Sequence, residues 1–109
     1  MTETVRITYH GMPRSEALDE LIHERAEKLF QLFDRITSCR VVVEAPHRRH
    51  TKGNHFAVHL EIHVPGDVLV VSRDHNDARH EDPYRAVRDT FHAAVRMLRH
   101  YVQRIHAIG

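Results

Sequence analysis

Residues 54–72 read NHFAVHLEIHVPGDVLVVS and predict a β-hairpin. In the first part, 54–64, every second residue is apolar, which is the period of a strand with one buried face. Pro65 and Gly66 are typical of a turn, and the apolar run Val68–Ser72 follows as the partner strand. The polar residues of the first strand would then share a face open to water: His59, Glu61 and His63.

Two strands and two helices are predicted around this hairpin. Glu3–Tyr9 alternates apolar and polar residues, and Cys39–Ala45 is short and rich in β-branched residues, so both read as strands. Between them, Glu16–Phe33 carries apolar residues at three- and four-residue spacing, which predicts an amphipathic helix. The same spacing continues from the capping pair Asp82-Pro83 to Ile105 and predicts a second helix.

The predicted order is therefore β-α-β-β-β-α, an α+β fold. Both helices and one face of the sheet are apolar, so we expect two helices packed on one face of a four-stranded mixed sheet, similar in outline to a double-stranded-RNA-binding domain (dsRBD-like). The first two strands would be parallel, because a helix connects them. Segments 47–53 and 73–81 are polar and predict loops. The length of 109 residues fits a single domain over residues 1–109.

Composition excludes several functional classes. The chain has one cysteine, Cys39, so neither an internal disulfide framework nor a CxxC zinc site is expected. We predict that Cys39 is inert packing, since it opens an apolar strand. No apolar run reaches the roughly 20 residues of a membrane span, and the start of the sequence lacks the pattern of a signal peptide, so a cytoplasmic protein is expected. No glycine-rich phosphate loop, GxSxG or HExxH occurs; we expect neither enzyme activity nor a cofactor.

The net charge of +1 hides an uneven distribution. The first predicted helix is mainly acidic, whereas the second is mainly basic. At about 100° per residue, the cationic side chains of the second helix fall within a sector about 80° wide. We call this set the arginine stripe: Arg85, Arg88, His92, Arg96 and Arg99. Arginine forks suit phosphate oxygens, so the stripe predicts a nucleic-acid contact. The alternative is a solvated surface, partly paired with the acidic helix.

Histidine is the unusual residue, with 12 in the chain. One strand face carries His59, Glu61 and His63, and His55 lies earlier on the same predicted strand. Imidazole and carboxylate groups are ligands for zinc or nickel. Alternate strand residues are roughly 6.5–7 Å apart, however, so chelation would need inclined side chains. We therefore expect a solvated, partly paired face and keep these residues as weak metal candidates.

The sequence also resembles a known family across nearly its whole length. The basic second helix and the element order resemble the ribosome hibernation-promoting factors and ribosome-associated translation inhibitors, once called sigma-54 modulation proteins. Four local matches carry the resemblance: Glu16-Ala17-Leu18 with Arg25, Lys28 and Leu29; Phe33-Asp34-Arg35-Ile36; Ile62-His63-Val64-Pro65-Gly66; and Asp82, Tyr84, Ala86-Val87 with Arg96. The resemblance is to short members of the family, so no C-terminal dimerisation domain is expected.

The resemblance implies a function. Members bind the small ribosomal subunit at the decoding centre, in the channel for mRNA and tRNA, and silence translation in stress or slow growth. By match to the family's basic positions, Arg25, Lys28 and Arg96 would contact 16S rRNA. The other residues of the arginine stripe are added from the spacing alone. The implied partners are 16S rRNA in the small subunit and 70S or 100S ribosomes, with no membrane, no DNA and no self-dimerisation domain.

The sequence departs from the family pattern at three positions of the second helix. Ala93 stands where relatives often have lysine, His100 replaces another basic residue, and Arg88 occupies a position that is often acidic. Two other functions stay open: a general double-stranded-RNA-binding module, which reads phosphates and 2′-hydroxyls by shape, and a histidine-rich metal-binding or protein-interaction domain. Since histidine has an ordinary pKa near 6.5, we also expect tighter ribosome binding at pH 6 than at pH 7.5.

Overall fold

A computed structural model describes residues 4–45, 56–73 and 82–108. It contains four strands and two helices in the predicted order: β1 (Thr4–His10), α1 (Glu16–Leu32), β2 (Ser38–Glu44), β3 (Ala57–Val64), β4 (Asp67–Arg73) and α2 (Pro83–Ile108). Most element ends fall within one residue of the predicted ones. The predicted loop 47–53, residues 74–81 of the predicted loop 73–81, and His55 lie outside the described residues. Arg73 was predicted as the first residue of that loop, but it is the last residue of β4, paired with Val58 of β3.

The four strands form one mixed sheet in the order β1-β2-β3-β4. β1 runs parallel to β2, and the other two pairs are antiparallel, as predicted. The register is marked by a row of aliphatic side chains on the helix-covered face, in which Val41 faces Ile7 on one side and Leu60 on the other, and Leu60 faces Val71. Gly66 has φ 78°, the backbone region that glycine enters without strain. The Pro65-Gly66 turn is thereby fixed, and it joins β3 to β4.

Both helices lie on one face of the sheet, which confirms the predicted α+β fold. The core is formed by side chains of all the elements except β1, whose apolar residues Val5, Ile7 and Tyr9 pack against it while partly exposed. Within α2, the buried positions recur at helical spacing: Val87, Phe91, Ala94 and Leu98. The other face of the sheet carries His59, Glu61 and His63, each only partly buried, as the alternation in β3 predicts.

Side-chain hydrogen bonds fix the first residues of both helices. Ser15 Oγ accepts a hydrogen bond from the Leu18 N–H at 3.2 Å, as the N-cap of α1. Asp82 Oδ1 accepts from the Tyr84 N–H at 2.9 Å, which places Pro83 at the first position of α2, where no N–H is needed. Both starts were predicted. α2 runs to Ile108, three residues beyond the predicted end at Ile105.

Tyr9 ties β1 to the start of α1. Its hydroxyl donates to Asp19 Oδ1 at 2.7 Å, and Arg14 Nε donates to Asp19 Oδ2 at the same distance. Burial and the bond to Asp19 raise the pKa of Tyr9. Burial of Asp19 opposes its ionisation, but the two hydrogen bonds outweigh this effect and lower its pKa. This acidic residue of α1 is thus engaged in holding the helix to the sheet.

Cys39 is fully buried under the helices. Burial disfavours the thiolate and raises the pKa of the thiol to about 12. A thiol in this position is inert at neutral pH, which agrees with the prediction that Cys39 serves as packing.

Neither helix in the described ranges combines the length and the apolar composition of a transmembrane segment.

Candidate nucleic-acid interface

The arginine stripe lies on the solvent side of α2. All five of its side chains are exposed, because the opposite side of the helix packs into the core. Arg85 and Arg99 are separated by about 21 Å along the axis at 1.5 Å per residue. The stripe is therefore a straight row of cations on a rigid helix, long enough to follow several phosphates of one nucleic-acid strand.

Acidic side chains of α1 do not neutralise this row. Among residues 4–45, 56–73 and 82–108, no ion pair joins an acidic residue of α1 to the stripe. The arginine pairs in these ranges lie elsewhere, between Arg14 and Asp19 and between Arg40 and Glu61. The interpretation of the stripe as a surface paired with the acidic helix is therefore not supported.

The two basic residues predicted on α1 differ in their surroundings. Lys28 is exposed, whereas Arg25 is half-buried. The Nε atom of Arg25 is buried and has no hydrogen-bond partner. Leaving a charged donor group desolvated in this way costs free energy unless a partner is supplied. Arg25 is thus a cation with unmet hydrogen-bonding capacity, in the same helical layer as the stripe.

The exposed face of the sheet has a different organisation, centred on one carboxylate. Glu61 accepts from His59 Nε2 at 3.1 Å, from His63 Nε2 at 3.3 Å and from Arg40 at 3.1 Å. His59 Nδ1 in turn lies 2.8 Å from Ser72 Oγ. We call this the Glu61 network. The hydrogen bond from His59 is the largest cause of the lowered pKa of Glu61, and the bond from His63 and the charge of Arg40 add to it.

The same geometry bears on the weak metal candidates. The Nε2 atoms of both histidines point at the carboxylate between them, so these side chains satisfy one another. Within the described residues, no group of three or more His, Cys, Asp or Glu side chains is arranged to hold a metal ion. His59, Glu61 and His63 are partly buried and paired with one another, and their standing as weak metal candidates stays a prediction.

Sequence reasoning missed Arg104. Its guanidinium lies 5.8 Å from the ring centre of Tyr101, and the Tyr101 hydroxyl donates to the Pro65 carbonyl at 3.3 Å. Arg104 falls outside the 80° sector of the stripe, so helical spacing alone gave it no role. It lies on a second flank of α2, which faces β4.

Comparison with known proteins decides the family. The family model described as "Sigma 54 modulation protein / S30EA ribosomal protein" matches residues 5–106. The chain belongs to this family. The S30EA match covers all six elements, as the sequence resemblance predicted. Among curated protein sequences, none matches this chain significantly.

Two solved structures have the fold of this S30EA family member. A ribosomal subunit interface protein from Coxiella burnetii matches with a TM-score of 0.72 at 19% identity, over 92% of this chain and 98% of that one. The N-terminal domain of Thermus thermophilus Protein Y matches with a TM-score of 0.70 at 15% identity, over 93% and 99% of the two chains. At these identities the likeness establishes the fold.

Proposed function

We propose that this chain is a ribosome hibernation factor. It binds the small ribosomal subunit at the decoding centre, in the channel for mRNA and tRNA, and inhibits translation during stress or stationary phase. Its place of action is the cytoplasm, as a single ribosome-binding domain on 70S and 100S particles. The proposed contacts to 16S rRNA are Arg25, Lys28, Arg85, Arg88, His92, Arg96 and Arg99.

The observation that carries this proposal is the arginine stripe within an S30EA fold. Five exposed cationic or titratable side chains lie in a row on one helix, and no acidic residue of α1 pairs with them. Guanidinium groups on a rigid helix can bind successive phosphates without reordering the backbone.

The proposed mechanism is competitive occlusion, without covalent chemistry. Phosphate contacts of the stripe hold the domain in the channel, and the folded body then fills the space that mRNA and the tRNA anticodon stems need. Affinity should fall steeply with salt, because each phosphate contact releases a condensed counterion.

Co-sedimentation with purified 30S and 70S particles tests the proposal. We expect the unaltered protein to sediment with both particles at moderate salt. The triple variant Arg88→Glu, Arg96→Glu, Arg99→Glu should stay in the supernatant, because it replaces three cations by anions. Failure of the unaltered protein to bind either particle would refute the proposal.

A second experiment distinguishes ribosome binding from general RNA binding. The protein is titrated against an RNA duplex of mixed sequence under the same salt conditions. A ribosome hibernation factor should prefer 30S particles to the duplex by at least about a hundredfold, a difference of about 2.7 kcal/mol. Equal affinity for both would instead indicate the double-stranded-RNA-binding module.

A further inference from the structure

β4 is an edge strand with an apolar, uncharged middle. Within residues 4–45, 56–73 and 82–108 it pairs with β3 alone, and its residues 68–72 are Val-Leu-Val-Val-Ser. Val68 and Val70 are 42% and 46% exposed. Proteins usually protect such an edge with charged residues or proline, because its free backbone groups can pair with another strand.

The turn geometry decides which backbone groups are free. Val64 and Asp67 face each other across the two-residue Pro65-Gly66 turn, so they form a hydrogen-bonded pair. Because such pairs alternate along an antiparallel ladder, Val68, Val70 and Ser72 direct their N–H and C=O groups away from β3. Asp67 Oδ1 accepts from the Val68 N–H at 2.8 Å. Among the described residues, the backbone groups of this edge that lack a partner therefore begin after the Val68 N–H.

A basic groove runs beside this edge. It has a volume of about 520 Å³ and lies between β4 and one flank of α2. Ala93 and Met97 form its apolar floor, and Arg96, His100 and Arg104 line it on the helix. The contact with the Tyr101 ring holds Arg104 in position near the β3–β4 turn.

The spacing of the basic side chains matches an added strand. Arg96, His100 and Arg104 recur every four residues, or about 6 Å along a helix axis. Alternate residues of a strand are about 6.5–7 Å apart. A strand paired with β4 would place every second side chain on the sheet face that carries α2, where the groove lies. The side chains between would lie on the outer sheet face, beside Val68 and Val70.

We infer that the β4 edge and this groove bind an extended peptide segment of another protein, with acidic residues alternating with apolar ones, by strand addition. Peptide backbone groups pair with β4, acidic side chains meet the basic groove, and apolar ones cover Val68 and Val70. Arg96 belongs to both the groove and the arginine stripe, so a bound peptide and the proposed rRNA contact would share that one side chain, whereas His100 and Arg104 lie outside the stripe.

Charge also argues against a second copy of this chain as the occupant. Antiparallel pairing of two β4 edges about a twofold axis would bring the α2 flanks of both copies together. Arg96 and Arg104 of one copy would then face the same residues of the other, with no acidic residue among the groove-lining side chains to offset them. Like charges placed close together oppose such association.

Fluorescence anisotropy with a labelled peptide tests the inference. The probe has about eight residues that alternate glutamate and valine, the length of an ordinary strand. A matched probe alternates lysine and valine. We expect saturable binding of the acidic probe only, at least about tenfold weaker for Arg104→Glu and for Val70→Lys, with backbone amide shifts centred on β4. Arg99→Glu, on the stripe, is the matched charge control and should bind the probe as the unaltered protein does.

Several results would overturn the inference. They are equal binding of both probes, no saturation up to about 1 mM, or amide shifts that avoid β4. A dimer in sedimentation velocity that Val70→Lys converts to a monomer would assign the edge to a second copy. A loss of 30S binding in Arg104→Glu as large as in Arg99→Glu would assign the groove to RNA. If circular dichroism shows that Arg104→Glu does not fold, Met97→Glu replaces it in the same binding experiments.

Discussion

The arginine stripe on α2 and the Glu61 network on the open sheet face are built from the same kinds of side chain but have opposite electrostatic roles. On the sheet, Arg40, His59 and His63 all converge on one carboxylate. On the helix, no acidic residue of α1 approaches the cations within the described ranges. Counting basic residues on a surface is therefore a poor guide to phosphate binding. The presence of a local acceptor decides which cations remain available.

The largest expected effect is a loss of 30S binding when charge is reversed on one of these two surfaces and not on the other. The double variant Arg88→Glu, Arg99→Glu changes the stripe. The double variant Arg6→Glu, Arg40→Glu changes the open sheet face by the same total charge, since Arg6 of β1 is exposed and faces Arg40 of β2 in register. We expect the first to weaken 30S binding about a hundredfold, or about 2.7 kcal/mol, and the second by less than about threefold, since only the stripe is proposed to contact phosphates. Co-sedimentation at fixed salt measures both, with thermal melts as the check on folding.

An equal loss of binding in the two double variants would break the comparison. It would mean that overall charge, and not the position of the cations, governs association with the ribosome.

Much of this comparison was predictable from the sequence, and the rest depended on tertiary contacts. Alternation in 54–64 placed the histidines of β3 on the water-facing side, and helical spacing placed the stripe on one side of α2. Neither pattern could show that His59 and His63 both turn toward Glu61, because inclined side chains have no sequence signature. Arg104 was missed for a related reason: its position depends on Tyr101, which is fixed by a carbonyl 36 residues away.

Element ends were predicted less well than element types. α2 continues to Ile108, although its apolar stripe was followed only to Ile105. The apolar spacing was the signal used, whereas Gly109, which follows Ile108 in the sequence, is the residue type that often comes directly after a helix and indicates the later end.

A smaller effect concerns the dependence of binding on salt. Arg99→Ala should weaken 30S binding by roughly tenfold and reduce the slope of log affinity against log salt by about 1, because one phosphate contact is lost. Arg40→Ala should leave the slope unchanged, since Arg40 is paired with Glu61. Filter-binding titrations over a salt series measure both slopes. A slope reduced equally by the two variants would place Arg40 among the rRNA contacts.

A still smaller effect should follow from pH. Histidine as a residue type is more positively charged at pH 6 than at pH 7.5, and His92 is the one histidine of the arginine stripe. We expect 30S binding to tighten about threefold at fixed salt, and His92→Ala to remove most of this gain. The control variant His59→Ala, His63→Ala should retain it, because those side chains lie on the opposite face of the sheet. Binding that is unchanged or weaker at pH 6 would contradict the prediction.

The smallest expected effect concerns stability and belongs to the sheet face. Hydrogen bonds from His59 and His63 lower the pKa of Glu61 in the folded state below its ordinary value of 4.5. The unfolded state therefore binds a proton more readily, and the stability that Glu61 contributes is present above about pH 4.5 and is lost as the pH falls through the lower folded value. Glu61→Gln removes this dependence, so its melting temperature should approach that of the unaltered protein as the pH falls toward 3. Thermal melts from pH 3 to pH 6 measure the difference, and Arg99→Gln, on the stripe, should keep the acid dependence of the unaltered protein. A Glu61→Gln deficit that stays constant across this range would show that the carboxylate of Glu61 is no more acidic in the folded chain than in the unfolded one.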